Sequence, residues 1–202
     1  MKRAVWAVLF VQTVLSYIIM PLPHHPYSPR RSVPPSGRII AERDLLYQCT
    51  QSAVKNAVHN STLIEQICDV LETQFPTDID LGLTVRESYW RVIYDAYTPP
   101  GCKGYQSIKD WDLMNMYKRD DGVSYILECR LEQTSNSVLR LVEPSRAVLV
   151  EANGQTKSME SWTKVGVAAF DISYMSEKIR IQRGVSTGHL MVMIRQKSVP
   201  CV

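Results

Sequence analysis

The C-terminal stretch SWTKVGVAAFDISYMSEKIRIQRGVSTGHLMVMIR, residues 161–195, decides the fold class. It contains short apolar runs separated by polar residues and glycines, a pattern typical of β-strands bounded by turns. In the first run Ala168, Phe170 and Ile172 occupy alternate positions and make the more apolar face. We assign that face to the core, because successive side chains of a strand point to opposite sides.

The last run, HLMVMIR, predicts a final strand. Leu190, Val192 and Ile194 alternate with Met191 and Met193, and we expect the first set to face the core. The methionines then point outward, either beneath covering helices or toward a partner, since thioethers adapt to irregular surfaces. Helix cover is the simpler interpretation, because large exposed apolar patches are uncommon on monomers.

Further strands are predicted upstream of this stretch. The segment VSYILECRLE, 123–132, alternates apolar and polar residues, and VLRLV and AVLVEA follow it. Asn153-Gly154 predicts a hairpin turn. With EKIRIQ, 177–182, between the two runs of the C-terminal stretch, there are six strand candidates in about 80 residues. They predict a mostly antiparallel sheet or sandwich.

Helical periodicity precedes the strands. Apolar residues recur at spacings of three and four over 40–58 and again over 61–75, where Pro76 ends the pattern. Residues 79–97 predict a strand followed by an aromatic helix. The fold class expected is therefore α+β, with N-terminal helices packed on a mostly antiparallel C-terminal sheet or sandwich.

Composition divides the chain into four segments. We expect a signal peptide at 1–16, a proline-rich extended leader at 17–38, a helical region at 39–100 and a β-rich region at 101–202. The last two can form one domain.

The N-terminus predicts secretion. Lys2 and Arg3 precede an apolar run at 4–15, and Ser16 is small enough for a cleavage site. An uncleaved anchor is the alternative, but the run reaches Met20 only by crossing polar residues, and a bilayer span needs about 20 mostly apolar residues. Cleavage would leave a secreted, extracellular chain with no stable membrane span.

The cysteines predict disulfide bonds, as is usual in secreted chains. Because their number is odd, one is left over, and the sequence does not choose among the pairings. Cys49 and Cys68 lie on the apolar faces of neighbouring predicted helices and could pair. Cys201 either stays free, joins another chain or fixes the C-terminus, and Asn60 begins the glycosylation sequon Asn-Ser-Thr. The five candidates are Cys49, Cys68, Cys102, Cys129 and Cys201.

Catalytic, metal and cofactor motifs are absent from the sequence, so we predict no catalytic residue, no metal and no cofactor. The net charge of +3 does not predict nucleic-acid binding. Arg30-Arg31 and the pattern from Arg180 to Arg183 are either processing sites or ordinary basic segments.

Four segments resemble the arm region in the propeptide of transforming-growth-factor-β family ligands: YILECRLEQ at 125–133, Trp162, AAFDIS at 168–173 and GHLMVMIR at 188–195. The resemblance implies a helical N-terminal part and a sheet-rich arm that cradle a growth factor. No cysteine-knot growth factor follows in this sequence. The resemblance therefore implies a propeptide-like module without its own ligand.

The function expected is that of a secreted, non-enzymatic binding protein with an extracellular protein partner. One alternative is a structural or envelope-type subunit in a disulfide-linked complex through Cys201, and another is a secreted hydrolase whose site cannot be read from the sequence. The proposed contact surface consists of aromatic residues and the methionines of the last strand: Tyr89, Trp90, Tyr94, Met191 and Met193.

The first prediction concerns secretion. When the full chain is expressed in a secretory host, non-reducing mass spectrometry of the medium should show an N-terminus near Tyr17 and at least one disulfide. A secreted chain that retains Met1 and has only free thiols would contradict both expectations.

Overall fold

The computed structural model describes residues 35–55, 61–76, 79, 81–95, 102–158 and 169–198. The predicted signal peptide, most of the leader, Asn60 and Cys201 lie outside these residues. The described helices are α1 (Pro35–Lys55), α2 (Ser61–Gln74) and α3 (Leu81–Arg86). The described strands are β1 (Glu87–Asp95), β2 (Cys102–Lys109), β3 (Asp112–Arg119), β4 (Ser124–Gln133), β5 (Val138–Val150), β6 (Thr156–Ser158), β7 (Ala169–Met175), β8 (Ile179–Gly184) and β9 (Leu190–Gln196).

Eight of the described strands close into an antiparallel barrel. Strands β1 to β5 pair in chain order, β5 pairs with β7, β7 with β8 and β8 with β9, and β9 pairs with β1. The short strand β6 pairs only with the end of β5 and is not one of the eight. The predicted α+β arrangement of helices on an open sheet or sandwich is therefore wrong. Strand patterning is the same in an open and a closed sheet, and the β1–β9 pairing that closes the barrel leaves no local signal in the sequence.

The order of elements predicted for residues 79–97 is reversed in the structure. Leu81–Arg86 is helical and Glu87–Asp95 is a strand. The aromatic spacing suggested a helix because β1 contains a bulge between Val92 and Tyr94. A bulge adds one residue to a strand, so side chains after it change face.

Strands β2 and β3, of which β2 begins at Cys102, were not predicted from the sequence. The two strands are joined by Asp110 and Trp111, which both have positive φ, 50° and 73°. Two-residue hairpin turns with positive φ usually contain glycine or asparagine. Because this turn contains neither, the sequence carried no recognisable hairpin signal here. The turn is held by α3: the amide of Asp110 donates to the carbonyl of Arg86 and that of Trp111 to Val85, each at 3.2 Å.

The Asn153-Gly154 hairpin is confirmed. Gly154 has a φ of 81°, and Val150 pairs with Thr156 across the turn. The run VLRLV and the first four residues of AVLVEA, which predicted separate strands, belong to the single strand β5.

The wall of the barrel is buried on both sides along β8 and β9. On the outer side, Leu190 and Val192 pack with residues of α1 and α2, including Leu45 and Leu71. On the inner side, Met191 and Met193 pack with Trp90. The predicted outward direction of the methionines is therefore wrong: it is Leu190 and Val192 that lie beneath the helices.

One end of the barrel has an apolar interior, which α3 closes. Leu81 and Val85 of α3 belong to one buried cluster with side chains from β2, β3, β4, β5 and β7. Phe170 and Ile172 are in that cluster and are buried, as predicted from their alternation.

The Phe170→Ala variant should lower the free energy of unfolding by about 3–5 kcal/mol, because the lost ring leaves a cavity among residues such as Leu139. Urea denaturation of the purified chain would measure the change. Val142→Ala is the matched control, since Val142 is exposed and should change the stability by less than about 0.5 kcal/mol. Equal losses in both variants would contradict the assignment of Phe170 to the interior.

Candidate functional site

A layer of polar side chains crosses the interior next to the apolar end. At its centre is Arg180 of β8, which is 0% exposed. Its Nη2 donates to Oε1 of Gln106, to Oε1 of Gln182 at 3.3 Å and to Sδ of Met193 at 3.1 Å. Gln106 in turn donates through Nε2 to Oδ1 of Asn115 at 2.9 Å. These contacts link β2, β3, β8 and β9 through the inside of the barrel.

The Arg180 guanidinium also lies against an aromatic ring. Its Cζ is 4.9 Å from the centroid of Trp90, and that of Arg195 is 5.5 Å from the same ring. Both distances fall in the range of cation–π attraction, which is stronger where water is excluded. The face of Trp90 therefore offsets part of the cost of burying Arg180.

This layer leaves polar atoms unpaired. Nε and Nη1 of Arg180 and Nε1 of Trp90 are buried and have no hydrogen-bond partner in the described structure. Burial lowers the pKa of Arg180 to about 9, so the side chain is still a cation at neutral pH. Among the described residues no carboxylate lies within ion-pair distance of it. A buried charge without a counter-charge costs several kcal/mol, which a bound anion would offset.

A second polar group lies near the end opposite α3, where β1 finishes. Nε2 of His189 and Oδ1 of Asp95 are 2.6 Å apart, and the side chains are 4% and 2% exposed. The Tyr117 hydroxyl donates to the other oxygen of Asp95 at 3.4 Å. Asp95 follows the bulge of β1. The extra residue of the bulge changes the side of the strand on which the following side chains lie, so Asp95 points to the interior and toward these partners.

Gly104 of β2 allows the side chains of Val92 and Tyr117 to lie close to the backbone of β2. A Cβ on Gly104 would lie 3.0 Å from the side chain of Val92 and 3.2 Å from Cε1 of Tyr117. Both distances are shorter than normal van der Waals contact. The missing side chain thus lets Val92 and Tyr117 fill the interior beside β2.

The helices are fixed to the outside of the barrel by charged contacts. Nη2 of Arg183 is 2.8 Å from Oδ1 of Asp69 and 2.8 Å from Oε2 of Glu72, both on α2. The hydroxyl of Tyr174 donates to Glu42 of α1. Arg183 is therefore a structural anchor of α2.

The Arg180–Arg183 pattern is not accessible as a processing site in this fold. It lies within β8, which pairs with β7 on one side and β9 on the other. Arg180 points into the barrel, and Arg183 is bound by α2. A protease would need this strand to unfold. Arg30-Arg31 lies outside the described residues.

The residues predicted to form a contact surface do not lie on an exposed patch. Trp90, Met191 and Met193 are buried in the interior, and Tyr94 is buried against the helices. Tyr89 is half-buried, and its hydroxyl donates to Glu87 at 2.7 Å.

The structure shows no disulfide bond among the four described cysteines, Cys49, Cys68, Cys102 and Cys129. Burial raises the pKa of Cys49 and of Cys129 to about 12, and it also raises that of Cys68 and Cys102. Cys49 and Cys68 belong to the same buried cluster between α1, α2 and the barrel. A bond between them stays a prediction, as do the roles of Cys201 and Asn60.

Sequence reasoning missed Arg180, Gln106, Gln182 and the pair of Asp95 with His189. Arg180 and Gln182 alternate with Ile179 and Ile181, which normally indicates a solvent-facing polar side. The signal that could have revealed them is the neighbouring strand: HLMVMIR is apolar on both faces, which indicates a strand buried on both sides.

Within the described residues, no three His, Cys, Asp or Glu side chains are grouped so that they could hold a metal ion. None of the three described helices has the length and apolar character of a membrane span. Comparison of the chain with known protein families and with curated proteins finds no match in either.

A double-mutant cycle should show strong coupling between Asp95 and His189. Either His189→Ala or Asp95→Ala leaves a buried polar partner behind and should cost about 3–5 kcal/mol of unfolding free energy. The double variant should cost clearly less than the sum, because neither group is then left alone. Thermal and urea unfolding of the four chains would measure this, and additive losses would contradict the coupling.

Proposed function

We propose that this chain is a secreted, non-enzymatic binding protein whose barrel takes up one small organic ligand. The observation that carries the proposal is the set of buried, unpaired polar atoms on Arg180 and Trp90 inside a closed barrel. Barrels of eight strands either fill their interior with side chains or enclose one small ligand. An interior built for stability alone would leave few such atoms without partners.

The chemistry of the interior supports this proposal. Ligand sites are mostly apolar and aromatic, with a few polar groups that orient the ligand. Here Trp90, Met191 and Met193 form a buried cluster beside the polar groups of Arg180 and Gln182. Methionine side chains suit such a site because they adapt to the shape of what they contact.

The ends of the barrel suggest the route of entry. Helix α3 closes the end at which β1 begins. At the opposite end lie the turn after β3, residues 120–123, and the turn after β8, residues 185–188. Loops are more mobile than the strands they join, so we place entry there, near Asp95 and His189.

The proposal keeps part of the function expected from the sequence. Secretion and the absence of catalysis remain predictions. An extracellular protein partner, a covalent link through Cys201 and the resemblance to a growth-factor propeptide also stay predictions, and nothing in the barrel interior depends on them.

The test of the proposal is titration of the full chain with the uncharged fluorescent probe N-phenyl-1-naphthylamine. Fluorescence should rise to saturation at one probe per chain, because an eight-stranded barrel has room for at most one small ligand. Unfolding in guanidinium chloride should abolish the signal.

The control separates the interior from the apolar surface of α1, where Ile40 and Tyr47 are 50% and 58% exposed. A chain with Ile40→Ser and Tyr47→Ser should bind the probe as the unmodified chain does. If no probe binds, or if this double variant loses the binding, the proposed function is wrong.

A further inference from the structure

We infer that the ligand is an organic anion, a largely apolar molecule with one carboxylate or similar oxyanion that pairs with Arg180. This inference rests on the proposed function and gives the chemical class of the ligand.

The first argument is the hydrogen-bonding state of Arg180. Only Nη2 has acceptors, the amide oxygens of Gln106 and Gln182 and the thioether of Met193. The remaining nitrogens, Nε and Nη1, are buried and have none. A guanidinium has five N–H donors and no acceptor, so only a group that supplies acceptors can complete this site.

The second argument is charge. Among the described acids near β8 and β9, Asp95 is held by His189 and Glu72 is held outside the barrel by Arg183. Asp171 of β7 has a buried oxygen without a hydrogen-bond partner, but it alternates with the interior residues Phe170 and Ile172 and so belongs to the outer face. Arg195 also lies against the ring of Trp90, but it is exposed to solvent. The uncompensated positive charge of the interior is therefore that of Arg180, which favours a negatively charged guest.

The third argument is that the side chains around Arg180 orient it without neutralising its charge. The ring of Trp90 attracts one face of the guanidinium, and the glutamines satisfy one nitrogen. The two amide oxygens hold the group in place but carry no net charge. They orient Arg180 without neutralising it, as expected of a binding group that is fixed before its ligand arrives.

The experiment compares two probes that share one ring system. The anion 8-anilino-1-naphthalenesulfonate differs from N-phenyl-1-naphthylamine by its sulfonate. The full chain should bind the anionic probe roughly ten- to a hundredfold more tightly, because hydrogen bonds to charged groups are strong where water is excluded. Arg180→Met, which keeps a similar volume, should reduce this ratio to about one and leave the uncharged probe bound.

Arg130→Met is the matched control, because Arg130 is exposed on the outer face of β4. It should leave the preference unchanged. Equal affinity of the unmodified chain for both probes would overturn the inference while the proposed function stands, and this comparison holds even if Arg180→Met does not fold. Loss of the preference in Arg130→Met would overturn it as well. Failure of the unmodified chain to bind the uncharged probe would instead overturn the proposed function.

A competition step identifies the oxyanion chemistry. Decanoate, decyl sulfate and decanol each contain ten carbons in an unbranched chain and differ in the head group. Decanoate and decyl sulfate should each displace the anionic probe at concentrations at least tenfold lower than decanol does. Displacement by decanol at the same concentration as by the two anions would contradict a role for Arg180 in ligand recognition.

Discussion

Pairing of the first and last strands is the constraint on which the rest of the structure depends. β1 and β9 run antiparallel from the pair Tyr89–Gln196 to the pair Asp95–Met191, and they bring together segments about 100 residues apart. Once they pair, each of the eight barrel strands has a partner strand on both sides along at least part of its length, which limits edge-to-edge aggregation. Closure also creates an interior, and the remaining features of the fold follow from how the two faces of its wall are used.

Two bulges allocate residues between those faces. In β1 the irregularity between Val92 and Tyr94 places Trp90 inside and Tyr94 against the helices. In β7 the irregularity between Ile172 and Tyr174 does the same for Ile172 and Tyr174. Without these extra residues, strict alternation would put both tyrosines inside the barrel. Each bulge therefore serves the interior and the helix layer together.

Local patterns predicted the elements better than they predicted the architecture. Helix α2, the Asn153-Gly154 hairpin and the burial of Phe170 could be predicted because each depends on neighbouring residues. Barrel closure and the outward turn of Tyr94 could not, since they depend on pairing between distant strands. The prediction of where the methionines of β9 point was wrong for a related reason. Both faces of that strand are apolar, so the sequence does not show which face lies inside the barrel and which lies under the helices.

The candidate site was hidden by the same ambiguity. An arginine between two isoleucines usually indicates the solvent-facing side of a strand. In this protein that side faces the interior, because the sheet closes into a barrel. Strand β8 contains two cations, Arg180 and Arg183, which lie in different environments. Arg183 meets carboxylates and fixes a helix, whereas Arg180 meets an aromatic ring and two amides. The first arrangement is complete within the protein. The second has donors to spare, which is why the interior, and not the surface, is the place to look for a ligand.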